Sequence, residues 1–143
     1  MNLRAPRLRS QSGSMLLEAF IAILIFSMGI LAIVGLQATS IRLSTDAKYR
    51  SDASQLANQL IGQMWVSNRT AATLKSTFES GSTYNTWASQ VQAALPGVTS
   101  ANLPTVSVVS TAGATQGKVT INVYWQAPNE ASRHNYIAIA QIQ

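Results

Sequence analysis

The sequence predicts an α+β fold in which one long N-terminal helix packs on a small antiparallel sheet of about three strands. Residues 19–36 form an apolar run without a charge. Apolar residues then recur at helical spacing as far as Trp65. Beyond residue 104, three short segments are rich in β-branched and aromatic residues, as strands are. A chain of 143 residues is therefore expected to form one compact domain with an extended element attached.

The apolar run at residues 19–36 meets the minimum length for a helix that spans a bilayer. Arg4, Arg7 and Arg9 precede it without any acidic residue. The positive-inside bias therefore places residues 1–13 in the cytoplasm. Everything after the span is expected to face the periplasm or the exterior.

A cleaved secretory signal peptide is the competing interpretation of this segment. The run is longer than the usual apolar region of about 7–15 residues. The triplet Leu36-Gln37-Ala38 also lacks a small residue at the first of its three positions. We therefore expect the helix to be retained in the mature protein.

Glu18 stands at the start of the apolar run. An ionised carboxylate inside hydrocarbon costs about 2.5–3.5 kcal/mol, so an acid at this place is a functional candidate. The alternative is that Glu18 lies among lipid headgroups, where the dipole at the N-terminus of the helix favours a negative charge.

The sequence GSMLLE at residues 13–18, between a basic leader and a long apolar helix, resembles the prepilin processing motif of type IV pilins and type II secretion pseudopilins. The resemblance implies that a membrane peptidase cuts after Gly13. Ser14 is then the new N-terminus, the position that this family methylates, and Glu18 corresponds to the family's glutamate at the fifth mature residue. Ser14 departs from the family, which usually has phenylalanine or another hydrophobic residue there.

A mechanism of assembly follows from these positions as a hypothesis. Cleavage creates a cationic amine at Ser14, and in a filament the amine of one subunit can face the Glu18 carboxylate of its neighbour. Opposite charges within about 4–6 Å favour the ionised forms, whereas either charge alone in lipid is costly. The pair would therefore fix the register between subunits.

An amphipathic helix is predicted to continue beyond the membrane, because no proline interrupts Met15 to Ser67. One continuous helix over residues 14–67 would be about 80 Å long at 1.5 Å per residue. The predicted buried face consists of Ala53, Leu56, Ala57, Leu60, Ile61, Met64 and Trp65. We expect Leu56, Leu60 and Met64 to pack against the sheet.

Residues 68–143 are predicted to form the head domain. The polar segment Asn68–Tyr84 is expected to be a loop, with a short helical turn at Ala71–Phe78. A second helix is predicted over Asn85–Leu95, and Pro96-Gly97 ends it.

Three strands are predicted at Thr105–Ser110, Lys118–Trp125 and Asn135–Ile142. Turn residues at Gly113–Gly117 and Ala127–Ser132 favour an antiparallel meander. The last strand alternates less clearly than the second, so its two faces stay unassigned.

The segment from Trp87 to Leu95-Pro96-Gly97, followed by a Val-Tyr-Trp strand, resembles the PilV branch of the minor pilins. The resemblance implies a pilin-like fold and a minor pilin that primes or caps a type IV pilus or is sparsely incorporated into it. Implied partners are other minor and major pilins, the inner-membrane assembly platform and prepilin peptidase. The chain would lie in the inner membrane before assembly and then in the pilus.

Two alternatives stay open from the sequence. A minor pseudopilin of a type II secretion system would share the processing motif and the overall plan. A membrane-tethered periplasmic binding module without a filament role would have the span but no cleavage at Gly13.

Composition argues against other function classes. The net charge of +5 falls to +2 without the N-terminal tail, since seven basic and five acidic residues are left, so no nucleic-acid partner is predicted. With no cysteine, one histidine (His134) and scattered acids, we expect neither a cofactor or metal site nor an enzyme. His134 is expected on the surface of a strand. Gly113–Lys118 lacks the spacing of a phosphate-binding loop and is expected to be a turn.

Overall fold

The computed structural model describes residues 12–110, 117–128 and 130–142. Within these ranges the elements are α1 (Ser12–Val66), α2 (Ala71–Phe78), α3 (Ser82–Ala94), β1 (Thr105–Ser110), β2 (Gly117–Trp125) and β3 (His134–Ile142). The α+β class is confirmed, with a long apolar N-terminal helix and a three-stranded antiparallel sheet. The chain divides into two compact units, Met1–Leu43 and Ser44–Gln143.

The described part of the first unit is the N-terminal portion of α1. Its large apolar side chains from Met15 to Leu43 are all exposed. This helix is long and apolar enough to cross a membrane, and it contains the predicted span at residues 19–36. Continuity over 55 residues confirms the expectation that a segment without proline forms one helix.

The second unit has a core to which every element contributes. Residues 44–66 of α1 place Ala53, Ala57, Leu60 and Met64 in it, at the helical spacing of 4, 3 and 4 residues. The prediction for Trp65 was wrong, because its side chain is 44% exposed. Trp65 lies about 100° around the helix from Met64, which is buried as predicted.

Helix α2 has the bounds predicted for the helical turn, whereas α3 begins three residues before the predicted Asn85. Leu74 and Phe78 of α2 and Trp87 and Val91 of α3 are buried, as is Leu95 just after α3. These two helices complete the core that α1 and the sheet begin.

At Gly97, just after α3, the chain turns towards β2. Its φ is +71°, a left-handed conformation that favours glycine. The turn brings the Pro96 carbonyl to the end of β2, where it accepts a hydrogen bond of 3.0 Å from the Gln126 N–H. The turn therefore joins the helical layer to the sheet.

The sheet has the order β1-β2-β3, and both pairs are antiparallel, as the meander predicts. The central strand buries Val119, Ile121, Val123 and Trp125. The predicted turn at Gly113–Gly117 lies outside the described residues except for Gly117, which begins β2. The second connection, Ala127–Ser132, lies between β2 and β3 as predicted.

The faces of β3 explain why the sequence left them unassigned. Ala138 and Ile142 face the core, whereas Ile137 and Ile139 are exposed on the opposite face. Small alanines inside and large isoleucines outside weaken the alternation that normally marks a half-buried strand.

Candidate functional site at the N-terminus of helix α1

The three residues predicted to carry the processing and assembly site lie in the first two turns of α1: Gly13, Ser14 and Glu18. The predicted leader at residues 1–13 lies outside the described residues up to residue 11. Ser14 and Glu18 are exposed. Residues four apart lie on the same side of a helix, about 6 Å apart along its axis. The backbone thus places Ser14, the predicted new N-terminus, on the same side of the helix as the Glu18 carboxylate.

Glu18 is the only charged residue between Ser12 and Ile41. Among the described residues, no cationic group lies within ion-pair distance of its carboxylate. A charge that compensates Glu18 in an apolar environment would therefore have to come from outside the described residues. The predicted cleavage before Ser14 would supply one, in the form of a free amine.

Small residues follow Glu18 on the same face of α1. Ala22 is one turn further along and Gly29 three turns further along. A Cβ built at Gly29 meets nothing within 4 Å, so the helix surface there is open. Small residues let a second helix approach closely in a membrane. The large exposed side chain of Ile25 lies between Ala22 and Gly29 on the same face, so the room for close approach is local to the two small residues.

Two hydroxyl side chains within the apolar segment bond to their own helix. Ser27 Oγ donates to the Ile23 carbonyl at 2.7 Å, and Thr39 Oγ1 donates to the Gly35 carbonyl at 3.1 Å. Such bonds satisfy a hydroxyl where water is absent. These two polar side chains are therefore compatible with lipid, whereas the Glu18 carboxylate has no such bond among the described residues.

A second group of polar side chains lies in the globular unit, around His134. Its Nε2 lies 2.6 Å from Glu130 Oε2 and its Nδ1 lies 3.9 Å from Asp46 Oδ1. The ring also stacks on Trp125, with 5.7 Å between centroids and 18° between planes. His134 contacts α1, the end of β2 and the loop before β3. It is a strand residue as expected, the first of β3, but it is half-buried and not on the surface.

The contacts of His134, Glu130 and Asp46 are those of a structural cluster. The described residues contain no group of three or more His, Asp or Glu side chains arranged to hold a metal ion. Ser132 is exposed at the surface of the loop. Sequence spacing offers one signal for the pair, since Glu130 and His134 are four residues apart, but nothing in the sequence predicts Asp46 beside them.

A contact of Glu79 with the edge of the sheet was also not predicted from the sequence. The Val108 N–H donates a hydrogen bond of 2.5 Å to Glu79 Oε1, so the loop after α2 closes one edge of β1. A polar residue between two helices would ordinarily be read as a solvated loop residue.

In comparisons with known proteins, no protein-family model, no curated protein and no solved structure matches the chain.

Proposed function

We propose that the chain is a minor pilin that takes part in type IV pilus assembly by priming, capping or sparse incorporation. The single observation that carries the proposal is Glu18, the only charge of an otherwise apolar helical segment, placed one turn after a predicted cleavage site. A pilin-like fold belongs to the same proposal, supported by an α+β unit whose core includes residues 44–66 of the same helix.

The charge argument gives the proposed mechanism. Hydrolysis of the Gly13–Ser14 peptide bond leaves a carboxylate on Gly13 and frees the α-amino group of Ser14, which is an ammonium group at neutral pH. Glu18 supplies the opposite charge. In a bundle of such helices each charge meets its counterpart on a neighbouring subunit, so neither stays alone in an apolar medium. Ala22 and Gly29 on the same face leave room for that neighbour.

In this proposal the protein is a single-pass protein of the inner membrane before assembly. Its N-terminus is cytoplasmic, its globular unit periplasmic, and prepilin peptidase and the assembly platform act on it there. Once assembled, it contacts other minor and major pilins. A pseudopilin of a type II secretion system is the second candidate, because the same motif and the same helix serve it equally.

The decisive experiment is N-terminal sequencing of the mature protein from sheared pili. We expect the sequence to begin at Ser14, and the mass of the first residue reports whether it is methylated. A protein that still begins at Met1 would contradict the proposal and favour a membrane-tethered periplasmic module. Deletion that stops secretion and leaves pili and twitching intact would favour the pseudopilin.

Glu18→Ala tests the role of the carboxylate. We expect membrane insertion to be unchanged and incorporation into pili to fall by about tenfold or more, because the Ser14 amine loses its counter-charge. Quantitative immunoblots of membranes and of sheared pili measure both quantities.

Leu17→Ala is the matched control, since it truncates an exposed side chain of the same segment without removing a charge. Its incorporation should stay near that of the natural chain. Equal incorporation of both variants would remove the proposed role of Glu18.

A further inference from the structure

The two edges of the sheet differ in how they are covered. At the β1 edge, the Val108 N–H is bonded to the Glu79 carboxylate, and α2 packs alongside the strand. At the β3 edge, no backbone hydrogen bond from the described residues reaches the strand other than those from β2. An unpaired edge is a template for pairing with another strand, and most folds block it.

The register identifies which groups of β3 point outward. The Val108 N–H points to Glu79 and therefore away from β2. In an antiparallel pair the backbone groups of the opposite residue then also point away, so the N–H and C=O of Val119 face away from β1. Val119 therefore bonds across to Ala140 of β3, since the backbone groups of alternate residues point to opposite sides.

By the same alternation, four residues of β3 direct their N–H and C=O groups away from the sheet. They are Asn135, Ile137, Ile139 and Gln141. All four side chains are exposed on the face opposite the core. The open edge is thus nine residues long and carries two isoleucines on its outer face.

A groove lies beside this edge on the core side of the sheet. Residues of α1, including Arg50, Ser51, Ser54 and Asn58, line it together with Tyr136 of β3. Ser54 Oγ donates a hydrogen bond of 3.2 Å to the Tyr136 hydroxyl, which holds this side chain of β3 against α1. A strand added to β3 would lie about 4.8 Å away and would direct alternate side chains into the groove.

The side chains that line the groove indicate which kind of strand it can bind. Arg50 is its only charged lining residue, and no carboxylate of the described residues lies within ion-pair distance of the guanidinium. The other lining side chains are neutral, most of them hydroxyls or amides. A fitting strand therefore carries polar side chains and a carboxylate on its inner face and apolar side chains on its outer face, beside Ile137 and Ile139.

A second copy of this chain fits the edge poorly. Asp46, near the start of the second unit, lies beside His134 at the start of β3. Antiparallel pairing of β3 with itself would therefore put the two apolar segments at opposite ends of the pair, where two helices that span the same membrane could not both enter it. Parallel self-pairing would turn Ile137 and Ile139 of the copy into the polar groove. Pairing with the β1 edge is blocked at Val108 by Glu79.

We propose that the free edge of β3 and the adjoining groove of α1 bind an extended segment of another protein, which adds as a fourth strand and places a carboxylate at Arg50. This inference is independent of cleavage at Gly13 and of filament assembly. It concerns only residues of the second unit.

The test uses the full chain in detergent micelles and two end-blocked, fluorescent nine-residue peptides. Valine alternates with serine in both, and the central inward residue is glutamate in one and lysine in the other. We expect the glutamate peptide to bind about fivefold more tightly, as measured by fluorescence anisotropy, and Arg50→Glu to reverse this order. Lys75→Glu, which makes the same charge change at an exposed site on α2, should leave the order unchanged.

Edge variants separate strand pairing from adsorption to an apolar surface. Ile139→Lys should weaken binding about tenfold, because charged side chains block edge pairing. Val109→Lys is the matched control at the other edge, since the two side chains are 62% and 59% exposed, and it should bind as the natural chain does. Circular dichroism establishes that each variant is folded.

Amide hydrogen exchange followed by NMR gives the structural readout. The glutamate peptide should slow exchange at Asn135, Ile137, Ile139 and Gln141, and empty micelles should bind neither peptide. The inference is overturned if no alternate-residue protection appears, if both peptides bind equally, or if Val109→Lys weakens binding as much as Ile139→Lys. A dimer that Ile139→Lys dissolves would also overturn it, in favour of self-pairing.

Discussion

Two tryptophans of the globular unit show how a single contact decides the role of a residue. Trp87 is 2% exposed, and its indole N–H donates a hydrogen bond of 2.9 Å to the Leu56 carbonyl of α1. It also lies beside Tyr84, whose hydroxyl donates to the Pro104 carbonyl at 2.7 Å and whose pKa is raised by burial. Trp65 is 44% exposed and has no comparable packing. Trp87 is therefore the buried residue that links α3 to the backbone of α1.

Trp87→Phe should lower the free energy of unfolding by about 1–3 kcal/mol, because it removes the hydrogen bond and leaves unfilled volume in the core. Urea titration of the full chain in detergent, followed by far-ultraviolet circular dichroism, measures this change. Trp65→Phe makes the same chemical change at an exposed site and should stay within about 0.5 kcal/mol of the natural chain. Equal effects at the two sites would contradict the role assigned to Trp87.

At the scale of elements, the stability of the second unit depends on the turn after α3 and on the continuity of α1. A Cβ at Gly97 would lie 2.8 Å from Gln126 Cβ and 2.9 Å from the Gln126 carbonyl oxygen, and its φ of +71° disfavours any other residue. Gly62 lies in the helical part of α1, where an added Cβ meets nothing within 4 Å. The two glycines should therefore respond to alanine with opposite signs.

Gly97→Ala should destabilise the protein by about 1–3 kcal/mol, because it strains the backbone and displaces the end of β2. Gly62→Ala should stabilise it by about 0.5–1 kcal/mol, since alanine is the better residue in a helix interior. Urea midpoints of the two variants measure both effects. A loss of stability in Gly62→Ala would mean that this glycine has a packing role in solution.

At the scale of the whole molecule, the two units differ in where their apolar side chains lie. The first exposes apolar side chains along the described helix from Met15 to Leu43, as a membrane helix does. The second, from Ser44, has its own core, one wall of which is residues 44–66 of α1. The stability of the second unit therefore depends on keeping that wall.

A chain that begins at Ser44 should be soluble without detergent and should unfold in one cooperative thermal transition. A chain that begins at Asn68 should fail to fold, because it lacks Ala53, Ala57, Leu60 and Met64 of the core. Circular dichroism and gel filtration distinguish the two, with the full chain in detergent as the reference. Cooperative unfolding of the shorter chain would show that α1 is dispensable for the core.

Local sequence determined most of the elements of this protein. An apolar run without proline is enough to specify the N-terminal helix, and the alternation of Val119, Ile121 and Val123 specified a half-buried strand at its place in the sheet. The candidate site at Gly13, Ser14 and Glu18 was likewise visible, because a motif of adjacent residues needs no tertiary contact to be read. Helix bounds differ from expectation by only a few residues.

Only the tertiary structure decided which surfaces meet. Trp65 and Met64 are adjacent in the same helix, and the sheet and helices that surround α1 select Met64 for the core. The bond between Glu79 and Val108, which closes one edge of the sheet, and the place of Asp46 beside His134 join residues far apart in sequence. Such contacts arise from the packing of whole elements, whose relative positions are not encoded in the periodicity of any one of them.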